Sequence, residues 1–171
     1  MDEMQLTREM LRVPLFEDLG IDQATTLVRA GTCREVPVGT VLREPDTVDE
    51  SLLILVEGAL RLETADGTEL AEITPPRVLG EMGVLTLRPR SSRVLCTQPA
   101  SVLEVSREAI GDLVETDPEL LHALLISLVK LLYDRTHEMN NDIGALRHRV
   151  NELGERLREV APDDPLLEVD G

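Results

Sequence analysis

The sequence predicts a mainly β fold with α elements: a jelly-roll β-barrel (double-stranded β-helix) flanked by N-terminal helices and a long C-terminal helix. Three observations carry this expectation. Between Cys33 and Ser106 short apolar runs alternate with turn chemistry, a spacing that suggests a barrel or jelly roll. On either side the apolar residues recur at helical intervals. An unbroken heptad seam then runs from Leu125 to Val160. The expected organisation is a helical segment over 1–32, a barrel over 33–117, a helix over 118–160 and a disordered acidic tail over 161–171.

In chain order, Met10, Leu11, Leu15 and Phe16 mark an opening amphipathic segment, and a second helical pattern from Leu19 to Ala30 is ended by Gly31. Within the barrel, turns are predicted at Val38-Gly39-Thr40, Pro45-Asp46, Ala65-Asp66-Gly67 and Thr74-Pro75-Pro76. Asp66-Gly67 lies between the alternating runs Leu60 to Glu63 and Glu69 to Ile73. That pattern predicts a hairpin closed by a two-residue turn with both central residues at positive φ. Beyond Ser106 a short helix is predicted to about Glu115, and Asp117-Pro118 supplies an N-cap followed by proline at the first helical position.

The long helix that starts there carries Val129, Thr136, Ile143, Val150 and Leu157 at a positions and Leu125, Leu132, Met139, Leu146, Leu153 and Val160 at d positions. β-Branched a residues with Leu at d favour two parallel strands. At about 1.5 Å per residue the helix would be about 64 Å long, more than a barrel of this size covers. Its far half is expected to pair with a second copy, although Asn140-Asn141, Gly144 and Gly154 leave a break near Asn140 open.

Composition excludes several classes. A chain of 171 residues accommodates one domain of ordinary size with an appended helix. The opening MDEMQLTREM carries no apolar run of signal-peptide length and no stretch is long enough to span a bilayer, so a cytoplasmic location with no membrane contact is expected. The net charge of −16, from 33 acidic and 17 basic residues, repels phosphate backbones, and no nucleic-acid partner is expected. Cys33 and Cys96 are read as small buried side chains rather than a disulfide framework. The histidines, His122, His137 and His148, all fall on the terminal helix, away from any barrel site where a metal or a catalytic triad could form; the protein is not read as an enzyme, and no metal or cofactor is expected.

The chemistry concentrates in residues 80–94. Gly80-Glu81-Met82-Gly83-Val84-Leu85 follows a predicted strand, and Arg88-Pro89-Arg90-Ser91-Ser92-Arg93-Val94 leads into the next. Burying a cyclic phosphate requires a cation and donors, which Arg90 and backbone N–H groups near Glu81 can supply. Gly80 and Gly83 let backbone approach a ligand closely. Glu81, an acceptor only, suits a ribose hydroxyl.

This segment resembles the phosphate-binding cassette of the cyclic-nucleotide-binding domain family, which includes the bacterial catabolite activator protein, cyclic-AMP-dependent kinase regulatory subunits and cyclic-nucleotide-gated channels. The shared residues are Gly80, Glu81, Met82, Gly83, Val84, Leu85, Pro89, Arg90, Ser91 and Ser92. The strand–Gly–strand run Ser51 to Leu62, the strand Leu103 to Ser106 and the helix start Asp117 to Leu120 extend the likeness over about 15–139. The resemblance implies that Glu81 accepts from the ribose 2′-hydroxyl, that Arg90 pairs with the phosphate, and that Gly83, Ser92 and the Ser91 hydroxyl complete the phosphate shell, with Gly80 and Met82 beside them. Arg93 departs from the family pattern and is given no role.

For the base, the comparable helix positions are Arg135 and Thr136. Thr136, the polar a residue of the seam, could reach a base edge or simply set the helix register. Tyr133 could cap the base or be a partly buried helix tyrosine. Cyclic AMP is slightly favoured over cyclic GMP. The function implied is that of a bacterial cyclic-nucleotide sensor acting through a homodimeric C-terminal helix and an unidentified protein effector. The alternative is a nucleotide-independent dimerisation or scaffolding module of the same fold.

Overall fold

The structure, a computed structural model, describes residues 2–160. The expected acidic tail, 161–171, lies outside the described residues. The chain forms α1 (Glu3–Met10), a 3-10 turn (Pro14–Phe16), α2 (Ile21–Ala30), β1 (Thr32–Val36), β2 (Val41–Arg43), β3 (Ser51–Glu63), β4 (Glu69–Ile73), β5 (Arg77–Leu79), α3 (Glu81–Thr86), β6 (Arg93–Ser106), α4 (Arg107–Thr116) and α5 (Pro118–Val160). It divides into two compact units, one through Leu128 and one from Val129 onward.

Two long strands organise the first unit. β3 and β6 pair antiparallel over most of their length, β1 and β2 add to β6, and β4 and β5 add to β3. Each long strand serves both halves of the roll. Near the middle both turn a corner: the pairing register slips three times between Leu55 and Leu60, and Gly58 takes φ +88° where β6 passes at Pro99 and Ala100. Bulges and glycines are the usual means by which a sheet bends round a barrel.

Side-chain alternation then defines two cores. Val36, Leu42, Leu53, Leu55, Leu60, Ile73, Val94, Cys96, Ala100 and Val102 fill the barrel. Leu52, Ile54, Val56, Leu103 and Val105 are also buried, on the alternate face where α1, α2 and α4 pack on β3 and β6. The unbroken run Leu52 to Val56 follows from being covered on both sides.

The Asp66-Gly67 hairpin forms, but its turn differs from expectation. Gly67 has φ +87°, whereas Asp66 is not among the positive-φ residues. Thr64 N–H donates to Thr68 O at 2.9 Å, Gly67 N–H donates to Thr64 O at 3.1 Å, and the register shifts between Leu62 and Glu63. This is a three-residue loop ending in a glycine bulge rather than a two-residue turn. The Asp66 carboxylate bonds to Thr64 Oγ1 and Thr68 N–H, which ties the aspartate to a local turn. Cys33 also departs from expectation: on the exposed β1 edge it is exposed, while Cys96 is buried.

Asp117 caps α5 as expected, its Oδ1 accepting from Glu119 N–H at 3.0 Å while Gln23 Nε2 donates to its other oxygen at 2.9 Å. The Gln23 hydrogen bond, against a smaller opposing effect of burial, holds the Asp117 carboxyl below its usual range. The first turns of α5 belong to the barrel unit: Leu120 and Ser127 are buried, and Ser127 Oγ donates to Asp18 Oδ2 at 2.8 Å. The unit boundary therefore falls inside the helix at Leu128 rather than at its start. α5 runs without a break through Asn140-Asn141 to Val160. None of the helices among the described residues is long and apolar enough to cross a membrane.

Candidate functional site

The segment between β5 and β6 is built around one buried guanidinium. Gly80, at φ +88°, turns the chain out of β5 into α3, and Leu87, at φ +56°, ends that short helix. The chain then returns through Pro89 so that Arg90 points inward. Arg90 is 8% exposed, and its Nη1 donates to Gly80 O at 2.7 Å while Nη2 donates to Asp49 O at 2.9 Å and Ser51 O at 2.7 Å.

Both glycines of the segment lie against this group. A Cβ at Gly80 would sit 2.2 Å from Arg90 Nη1, and one at Gly83 would sit 2.5 Å from the same atom. The helix start and the guanidinium share space, so a side chain at Gly80 or Gly83 would push Arg90 away from the carbonyls it serves.

The donor set fits an anion. Arg90 Nε is buried and has no hydrogen-bond partner among the described residues, so the guanidinium retains a donor after serving three carbonyls. Glu81, only 4% exposed, stands at the first position of α3, directly after Gly80. Ser91 is exposed, Ser92 half-buried, Gly83 buried, and Met82 points its side chain toward solvent. Of the expected residues, the geometry brings Arg90 against Gly80 and Gly83 at the start of α3, which Glu81 and Met82 also form, while Ser91 and Ser92 follow Arg90 into β6. Arg135 and Thr136 lie on α5 in the second unit: Arg135 is half-buried, and Thr136 is exposed with its hydroxyl donating to Leu132 O at 2.7 Å. Tyr133 is 69% exposed and stacks on His137 with ring centroids 6.2 Å apart, so it is not a partly buried residue.

The opposite wall is the loop between β2 and β3, which sequence reasoning missed. Asp46 N–H donates to Arg90 O and Arg90 N–H to Thr47 O, each at 2.8 Å, and Arg93 Nε donates to Glu44 Oε2 at 2.9 Å. Arg93, given no role from the sequence, is thus a strap on this loop. Behind it lies an ion cluster: Arg43 contacts both Asp49 and Glu104, Ser51 Oγ lies 2.8 Å from a carboxylate oxygen of each, and Arg34 Nη2 reaches Glu104 Oε2 at 3.1 Å. Burial pushes the Glu104 carboxyl upward, but the Ser51 hydroxyl and the Arg43 and Arg34 guanidiniums outweigh it and hold the group below its usual range. No sequence signal set these residues apart, because isolated charges in a chain this rich in them read as solvated surface.

Comparison with known proteins matches residues 33–117 to the family model described as cyclic nucleotide-binding domain. A cyclic nucleotide-gated potassium channel of Mesorhizobium japonicum is 31% identical over 108 residues, which cover 63% of this chain and 30% of the channel. The chain spans between 23% and 31% of the length of the first curated relatives it matches. Among solved structures, a cyclic nucleotide-binding domain from Methylobacillus flagellatus superposes with a TM-score of 0.71 at 22% identity, covering 82% of each chain. The catabolite activator protein of Thermus thermophilus superposes with a TM-score of 0.67 at 23% identity, covering 86% of this chain and 72% of that one.

Proposed function

Because residues 33–117 belong to the cyclic nucleotide-binding domain family, we infer that this barrel is a cytoplasmic sensor of a cyclic nucleotide, cyclic AMP in preference to cyclic GMP. The observation that carries the reading is the buried Arg90 guanidinium, packed against Gly80 and Gly83 with its Nε unpartnered among the described residues. The three carbonyls account for its terminal nitrogens, but they leave its buried Nε with nothing to bond among the described residues, and an anion is what such a donor suits. Bound there, the nucleotide would give its phosphate to Arg90, Ser91 and the Gly83 and Ser92 amides, and its ribose hydroxyl to Glu81. Arg135 and Thr136 are the residues assigned to the base. The domain's role is regulatory rather than catalytic.

Calorimetric titration of the full chain with each cyclic nucleotide tests this. Saturable heat is expected with cyclic AMP, and weaker binding with cyclic GMP. Absence of heat with both overturns the sensor in favour of a nucleotide-independent dimerisation module.

Output is assigned to α5, paired with a second copy of the chain. Val129, Met139, Ile143, Leu146, Val150 and Leu153 are exposed along one heptad stripe. In a parallel pair Asp142 at g would face Arg147 at e of the partner, an attractive contact, with no like-charge g–e′ pair along the seam. A ligand that favours one helix pairing over another then carries its signal to an effector protein. Sedimentation equilibrium is expected to give a dimer, and Ile143→Asp with Val150→Asp a monomer; a wild-type monomer at micromolar concentration would sink the pairing.

A further inference from the structure

The guanidinium at the candidate site has a carboxylate rival for the phosphate. Arg90 Nη2 lies 3.6 Å from Asp49 Oδ1, beyond hydrogen-bonding distance, although the same nitrogen reaches the Asp49 carbonyl at 2.9 Å. An aspartate this close to a buried arginine would be expected to form the bidentate pair that is their preferred geometry. It does not, because its carboxylate is already occupied. Oδ2 contacts Arg43 Nε, and Oδ1 accepts from Ser51 N–H at 2.9 Å with the Ser51 hydroxyl at 2.8 Å.

Arg43 is held in its turn. Its Nη2 contacts Glu104 and donates to Ser51 Oγ at 2.6 Å, and Nη1 donates to Leu42 O at 2.7 Å. Its side chain is 10% exposed, so this arrangement is a built one rather than a surface pair. Four elements converge on it: β1 through Arg34, β2 through Arg43, β3 through Ser51 and β6 through Glu104.

We propose that Arg43, fixed by Glu104, is the positioning residue of the anion-binding guanidinium: it occupies the Asp49 carboxylate that would otherwise close on Arg90 and take the donor meant for phosphate. Arg43 touches no ligand. It acts by keeping Asp49 at a distance at which it orients Arg90 through its backbone carbonyl without neutralising it. Removing Arg43 leaves Asp49 with Arg90 as its nearest cation, and in a site of low dielectric that attraction is strong.

The inference rests on the sensor reading for its meaning, but its test separates the two. The Arg90 Nε–Hε resonance of the nucleotide-free protein is followed by proton–nitrogen NMR. In Arg43→Met it is expected to move downfield as Asp49 closes on the group, and Asp49→Asn added to that background is expected to return it. Glu104→Gln, a gentler change for the case in which Arg43→Met fails to fold, should move the resonance in the same sense by less. Cyclic AMP affinity should fall about tenfold in Arg43→Met and recover in the double variant, a rescue that lost packing alone would not show. A resonance unmoved in the folded variants, or an affinity loss that Asp49→Asn fails to recover, overturns the proposal. If the wild type binds neither cyclic nucleotide, the sensor reading fails, while the resonance still decides whether Arg43 holds Asp49 off Arg90.

Discussion

Arg90→Met is expected to lower cyclic nucleotide affinity by at least ~100-fold, close to 3 kcal/mol, which is the scale for truncating one partner of a buried charge pair. The expectation follows from position as well as charge. Arg90 is the buried cation to which Gly80, Gly83 and the β2–β3 loop are all fitted, and its Nε has no hydrogen-bond partner among the described residues. The variant also strands the carbonyls of Gly80, Asp49 and Ser51, each worth about 1 kcal/mol or more when left unpaired. Thermal stability should therefore fall together with binding. Arg90→Lys separates the two effects: it keeps the charge but cannot fork to Gly80 O and Ser51 O at once. Calorimetry well below the melting temperature of each variant, with a thermal melt alongside, measures both. Affinity within threefold of wild type in a folded Arg90→Met protein would remove Arg90 from the phosphate.

The largest effect on stability is expected from Gly58→Ala. Gly58 sits at φ +88°, where an L side chain is strained by about 1–2 kcal/mol. It also stands at the corner where β3 and β6 bend together, and an added Cβ would lie 2.3 Å from Pro99 O and 2.6 Å from Ala100 Cα. Both obstacles are backbone, so neither can swing aside, and the long strands must separate at the bend. A loss of about 3–4 kcal/mol is expected, a fall in Tm on the order of 10 °C for a chain of this length. Gly67→Ala is the control. Its φ of +87° is nearly the same, yet nothing lies within 4 Å of the added atom. Only the conformational strain remains there. If the two variants melt at the same temperature, the corner is not the tight point described.

These two residues show how unevenly the fold was legible. Arg90 could be singled out because its partners in the site, Gly80, Glu81 and Gly83, lie within ten residues of it. Gly58 reads in sequence as a turn between two strands, whereas it bends one continuous strand, and its obstacle, Pro99 and Ala100, comes from the other long strand. Asp66-Gly67 gave the hairpin but not its turn type, because Thr64 and Thr68 compete for the Asp66 carboxylate and favour a glycine bulge. Sequence leaves Tyr133 as either a base cap or a partly buried helix residue; it stacks on His137 one helical turn away and is exposed.

The sequence by itself determined the class of fold, the order of its elements, the heptad face of α5 and the local grouping of Gly80, Gly83 and Arg90. All of these are written in short-range periodicity or in spacing along one segment, where chemistry and geometry share a few consecutive residues. The tertiary structure alone decided that Arg90 is buried, that Arg43, Asp49, Ser51 and Glu104 stand behind it, and that the first turns of α5 belong to the barrel unit. Each depends on strands or helices far apart in the chain meeting in space. An isolated charge does not announce in sequence which opposite charge the fold will bring to it.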